Sequence, residues 1–160
     1  MGQKVLLNQM PIAIKDSKID ISSEETTKEL AKDLTHYLKG GEIIYLYGEM
    51  GVGKTTFVRY LINQFQKNKK LHITEVTSPT FNLLNEYDIN DLVIKHYDLF
   101  RLKDESEIKN LDLFENNQNT ITLIEWPQLI SKNKSIKTID LIFSYENELN
   151  NRSVKIDGLN

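Results

Sequence analysis

The sequence predicts an α/β fold built on a mixed, mainly parallel central sheet. Three observations lead there. The apolar run Ile43-Ile44-Tyr45-Leu46-Tyr47 passes through a glycine-rich loop into Thr56-Phe57-Val58-Arg59-Tyr60-Leu61-Ile62, which has helical spacing. Thr120-Ile121-Thr122-Leu123-Ile124 is a second strand-like run, apolar enough to be buried. Segments 81–87 and 92–99 read as strands separated only by the turn 88–91, so they must pair antiparallel beside a parallel core.

The elements follow in order. Residues 1–17 are a weakly patterned extension with no assigned role, either an extra strand around Val5-Leu6-Leu7 or a disordered leader; residues 18–160 are expected to form a single domain. Ile19-Asp20-Ile21 reads as a short strand. Ser22 with Glu25 three residues on is the pattern of a capping box, opening a helix whose apolar face is Leu30, Ala31, Leu34 and Leu38 and which Gly40-Gly41 ends. The helix after the glycine loop runs to about Gln66, and 67–70 form a polar connection. Pro79 keeps Ser78 out of the α region, so 76–81 is an extended loop. Within 104–115, Asp104, Glu105, Ile108, Leu111 and Phe114 suggest one or two short helices. The strand at 120–124 ends at Glu125 and is broken by Pro127. Segments 136–145 and 152–157 read as a terminal hairpin joined through 146–151.

Composition narrows the function. With 39% apolar and 27% charged residues the chain reads as globular, and no stretch approaches the ~20 apolar residues of a membrane span. No secretory signal is visible, and Leu6 stands where a myristoylation motif needs Ser or Thr. The absence of cysteine removes disulfides, a thiol nucleophile and thiolate metal sites, and fits a reducing cytoplasm. His36, His72 and His96 lie too far apart for a zinc pair and read as surface or packing histidines. A net charge of −3 argues against a broad grip on nucleic acid. The basic runs Lys67, Lys69, Lys70 and Lys132, Lys134, Lys137 read as solvated.

The chemistry sits in Gly48-Glu49-Met50-Gly51-Val52-Gly53-Lys54-Thr55, which fits the phosphate-binding pattern G-x-x-x-x-G-K-[ST] between a strand and a helix. Glycines let backbone N–H groups turn inward around phosphate oxygens, and the helix N-terminus adds partial positive charge there. Lys54 can neutralise β- and γ-phosphates, and the Thr55 hydroxyl can ligate Mg²⁺. A carboxylate at the C-terminal end of a core strand usually completes such a site. Glu125 and Asp98 both qualify, the latter after Val93-Ile94-Lys95-His96-Tyr97, and Thr80 could respond to a γ-phosphate as switch loops do. A P-loop small-molecule kinase is the alternative. It is disfavoured because Arg59, Arg101 and Arg152 are the only arginines and form no lid cluster. A GTPase is disfavoured because Asn68-Lys69-Lys70-Leu71 and Asn133-Lys134-Ser135-Ile136 lack the guanine-reading Asp. A nucleotide-binding scaffold that is slow until a partner completes it stays open.

Gly48 to Thr55, Ser78-Pro79-Thr80-Phe81, His96-Tyr97-Asp98-Leu99-Phe100-Arg101-Leu102 and Ile124-Glu125-Trp126-Pro127 together resemble the TsaE family, also called YjeE, small bacterial ATPases needed to make threonylcarbamoyladenosine in tRNA. The resemblance runs from about Ile19 to the terminal hairpin and leaves residues 1–17 without a counterpart. It implies a P-loop NTPase-like three-layer sandwich, with ATP and Mg²⁺ as ligands. Glu49, Met50, Gly51, Val52, Gly53, Lys54, Thr55 and Thr56 would surround the nucleotide. Thr27 lies in Ser23-Glu24-Glu25-Thr26-Thr27, which resembles the family's adenine-proximal segment; apart from the resemblance, Arg152 could reach the base from the terminal hairpin. Thr55 and Glu125 would hold the metal, directly or through water. Asp98 would support hydrolysis, Thr80 would be the switch threonine, and Lys54 would bind phosphate. The implied partners are the TsaB and TsaD proteins, with tRNA contacted only through that complex and no membrane involved. ATP turnover would reset the complex between modification cycles. Trp126 could pack in the core, against the switch loop or against a partner, and Arg101 could form a strand-end salt bridge or meet phosphate or a partner surface.

Overall fold

Seven strands form one sheet in the computed structural model, which describes residues 18–115, 118–131, 138–148 and 150–159. They are β1 (Lys18–Asp20), β2 (Ile43–Tyr47), β3 (Leu84–Ile89), β4 (Leu92–Asp98), β5 (Thr120–Glu125), β6 (Thr138–Tyr145) and β7 (Arg152–Asp157). Their spatial order is β1-β7-β6-β2-β5-β4-β3. β6, β2, β5 and β4 are parallel neighbours. β3 and β7 flank them antiparallel, and β1 pairs antiparallel with β7, so it runs in the sense of the core. This is the mixed, mainly parallel sheet expected. The expected extra strand at Val5-Leu6-Leu7 and the basic run Lys132, Lys134, Lys137 lie outside the described residues.

Both faces of the sheet are covered, as strands with near-continuous apolar sequences require. Helix α1 (Glu24–Leu34) and helix α2 (Lys54–Asn68) pack on one face. Phe57, Val58, Leu61, Ile62 and Phe65 recur at helical spacing in α2 and meet Ile44, Leu46, Leu123 and Leu141 from the sheet. Phe57 also packs edge-on to Phe143, with centroids 5.9 Å apart. The opposite face, carrying Ile43, Tyr45, Tyr97 and Ile124, is covered by Leu99, Leu113 and the short helix α3 (Glu105–Ile108) with the 3-10 turn Lys109–Leu111 that continues it. The result is three layers, the third thin. Asp104 caps α3 in a reciprocal capping box with Glu107.

Four local expectations differ from the structure. The N-cap of α1 is Ser23, whose hydroxyl accepts from the Glu25 N–H at 3.2 Å. Ser22 instead accepts from the Arg152 N–H at 2.9 Å and so ties β1 to β7; the sheet contact outcompetes the cap. α1 ends at Leu34, well before Gly40-Gly41, and Leu38 is buried beyond the helix. Gly40 and Gly41 turn the chain into β2 instead: the Gly41 N–H reaches the Thr120 carbonyl, and the Glu42 carboxylate accepts from the Lys39 and Gly40 N–H groups. β1 begins one residue early, at Lys18. β3 starts only at Leu84, because Phe81 and its neighbours turn, with the Leu83 N–H bonded to the Pro79 carbonyl and Leu83 at φ 68°. Among the described residues no helix is long and apolar enough to cross a membrane.

Candidate functional site

β2 delivers the chain to the glycine loop at the C-terminal end of the parallel strands. Gly48 sits at φ 145°, and a Cβ there would lie 2.9 Å from the Phe143 carbonyl oxygen, so only glycine fits without displacement. Gly53, at φ 117°, is the N-cap of α2. No side chain caps α2, and its first turn carries no acidic residue. The orphan N–H groups of that turn therefore present unneutralised partial positive charge to the loop.

Lys54 is 4% exposed. Its ammonium donates to the Gly48 carbonyl and lies 3.7 Å from the Trp126 ring centroid. Burial lowers the Lys54 pKa, against the pull of Glu125 and Asp98, which favour its charged form. The next residue, Thr55, places its hydroxyl 3.2 and 3.3 Å from the two carboxylate oxygens of Glu125, itself only 2% exposed at the end of β5. On the adjacent parallel strand β4, Asp98 is in register with Glu125. The Asp98 Oδ2 accepts from the Ser78 hydroxyl at 2.7 Å and its Oδ1 from the Phe100 N–H at 3.0 Å. The Thr80 hydroxyl donates to Ser78 Oγ at 3.2 Å, so the 71–83 loop is tied to β4 through Ser78.

These groups line a cavity of about 370 Å³. Of the residues the sequence singled out, Met50, Gly51, Gly53, Lys54, Thr55, Thr56, Thr80, Asp98, Glu125 and Arg152 all border it. Thr27 borders a smaller adjoining recess of about 60 Å³ with Val52, Gly53, Thr56 and Arg152. Glu49 borders neither. It is exposed, and its carbonyl accepts from the Val52 N–H, which shapes the loop. Val52 turns its side chain into the core. The Arg101 guanidinium stacks 5.1 Å from the Phe81 ring and does not border the cavity. Trp126 joins the cavity wall: its ring meets that of Phe100 at a tilt, with centroids 4.9 Å apart, lies under the Lys54 ammonium, and its backbone adopts φ 57°.

Three contributors escaped the sequence reading. In the sequence Ser78 and Phe100 stand inside motif strings, Ser78 also as the residue before Pro79, with no role assigned to either. By residue type and spacing His96 reads as a surface or packing histidine. It is buried, and its Nε2 lies 2.7 Å from Glu125 Oε2. Period-two spacing from Asp98 was the available signal, since both residues then share a face of β4.

The chemistry of the set is coherent. Inward-turning glycines, an uncapped helix N-terminus and a buried lysine suit a polyphosphate. The Thr55 hydroxyl and Glu125 carboxylate are the oxygen donors a small hard divalent cation takes. The family described as "Threonylcarbamoyl adenosine biosynthesis protein TsaE" matches residues 21–154, which contain every residue of the site. A protein of Rickettsia conorii named tRNA threonylcarbamoyladenosine biosynthesis protein TsaE is 44% identical over 110 residues, 69% of this chain and 61% of that protein's length. Proteins of the same name from Bacillus subtilis and a Nostoc species are 38% identical over 68% of the chain and 34% identical over 82% of it, covering 65% and 80% of their own lengths. The chain thus spans somewhat under two thirds of the Rickettsia conorii and Bacillus subtilis relatives. The crystal structure of Bacillus subtilis YdiB superposes with a TM-score of 0.67 over 91% of this chain and 87% of that one, at 22% identity, a likeness of fold. With the family matched across most of its length, the chain belongs to the TsaE family.

Proposed function

We propose that this protein binds ATP with Mg²⁺, hydrolyses it slowly alone, and serves the threonylcarbamoyladenosine modification of tRNA in the cytoplasm together with the TsaB and TsaD proteins. The observation that carries the reading is the convergence of Lys54, Thr55, Asp98 and Glu125 on one cavity at the C-terminal ends of β2, β4 and β5. The residues present fit the ligand. Lys54 would exchange its bond to the Gly48 carbonyl for phosphate oxygens, while the N–H groups of the α2 first turn receive the remaining charge. Thr55 and Glu125 would hold Mg²⁺, which when bound supplies positive charge to the phosphate oxygens. Asp98 is held at both oxygens, by Ser78 and by the Phe100 N–H, and is therefore oriented to align a water through its remaining lone pairs. Thr80 sits one hydrogen bond further out and would report the γ-phosphate to the 71–83 loop.

Transfer to a small molecule is the weaker reading. Arg59 is paired with Glu24 at 3.0 Å and Arg101 with Phe81, leaving Arg152 as the one arginine bordering the cavity. The test is ATP turnover with and without the TsaB–TsaD pair, for wild type and Asp98→Ala. The partners are expected to raise the wild-type rate at least tenfold, and the variant is expected to lose it. Equal rates in both comparisons would overturn the proposal.

A further inference from the structure

His96 is a buried polar group in contact with the site to which the proposed chemistry gives no task. It occupies β4 two residues before Asp98, in a row otherwise made of Ile94, Ile121 and Leu123. A fully buried imidazole is costly in such surroundings unless a partner offsets its desolvation. Its partner is Glu125: Nε2 to Oε2 is 2.7 Å, shorter than either approach of Thr55 to the same carboxylate. A carboxylate only accepts, so the ring donates from Nε2. Nδ1 has no hydrogen-bond partner among the described residues. Among the described residues the ring's polar anchorage is Glu125.

We propose that His96 is a positioning residue for Glu125, holding Oε2 from below so that the carboxylate presents Oε1 beside the Thr55 hydroxyl to a divalent cation. The inference rests on the reading of Glu125 as a metal-binding group. The His96 backbone is fixed because β4 is paired in register with β3 and β5 at this level, with His96 opposite Asn85 and Leu123, and complete burial confines the ring among its neighbours. Glu125 has no comparable restraint from Thr55, whose hydroxyl is almost equidistant from both oxygens and sits on a different element, α2. Hydrogen-bonded supports of this kind around metal-binding groups change metal affinity by about 10–100-fold when removed.

Three variants separate positioning from simple core packing. His96→Gln returns an amide donor at the reach of Nε2, His96→Asn places its amide near Nδ1 instead, and His96→Leu removes the donor. Binding of a fluorescent ATP analogue is measured in excess EDTA and across a Mg²⁺ titration, alongside melting of the ligand-free proteins. His96→Leu and His96→Asn are expected to bind the analogue in EDTA as wild type does, and to need roughly tenfold more Mg²⁺ for the half-maximal magnesium effect. His96→Gln is expected to stay within about threefold of wild type. A Mg²⁺ requirement unchanged in Asn and Leu, or a loss equal in EDTA and tracking the melting temperature, would overturn the proposal. Should His96→Leu fail to fold, the contrast between Gln and Asn decides it. If wild type binds the analogue but shows no Mg²⁺ effect, the metal reading of Glu125 fails, and absence of binding altogether defeats the nucleotide reading.

Discussion

Lys54 is held where a lysine is least comfortable, nearly sealed from water, with a carbonyl and an indole face as its nearest company. Its lowered pKa has a direction that matters. Below the folded value both states are protonated and the folded state bears the full desolvation penalty; stability recovers only as pH rises toward the free value of 10.5. At neutral pH Lys54→Met is therefore expected to melt no lower than wild type while weakening ATP binding at least tenfold, checked by calorimetry and thermal melting. Tyr45 carries the opposite alkaline dependence. Burial, with smaller contributions from Tyr47 and Asp140, pushes its hydroxyl from 10.0 up to about 12. Unfolded chains ionise first, so stability is intact below pH 10 and falls between 10 and about 12. Tyr45→Phe is expected to remove on the order of 1–3 kcal/mol of that loss by pH 12, read from denaturant midpoints at pH 8 and above pH 11. Neither environment was legible from residue type. The glycine-loop pattern identified Lys54 as a phosphate ligand, but its contact with Trp126 depends on the turn after β5, where Trp126 takes φ 57°.

At the scale of elements, local patterns located the strands and helices and misjudged their ends. The α1 cap illustrates why. Two adjacent serines both satisfy the cap chemistry, and the choice fell to Ser23 because Ser22 is engaged by the Arg152 backbone. Ser23→Ala is expected to cost about 1 kcal/mol in a urea titration, the usual worth of an N-cap. Ser22→Ala would instead loosen the β1–β7 pairing. β3 shows the same limit. Phe81, 81% exposed, reads as a strand residue by type, yet it lies in the turn that carries Thr80 to the cavity. The strands β2 and β5 were legible throughout because they are apolar along their length and central in the sheet. The edge strands β1 and β3 were less so, since their pairing partners lie far away in sequence or depend on a turn.

For the whole molecule, occupancy of the cavity should appear as stability, because a ligand that binds only the folded state adds RT ln(1 + [L]/Kd). Mg-ATP at a hundred times the wild-type Kd is expected to add about 2.7 kcal/mol for wild type and for Asp98→Ala, and about 1.4 kcal/mol or less for Lys54→Ala, as measured by melting with and without nucleotide. That pattern would separate binding from hydrolysis across the site. The sequence alone determined the class of sheet, the phosphate loop, the two carboxylates at strand ends and the family likeness, since each is written in residues close together along the chain at the periods of strand and helix. Only the tertiary structure decided that His96 stands beneath Glu125, that Ser78 links Thr80 to Asp98, that Arg152 borders the same cavity as the loop and that Glu49 borders neither recess. Those contacts join segments separated by many residues, and their existence depends on strand order and loop path, which no local pattern encodes.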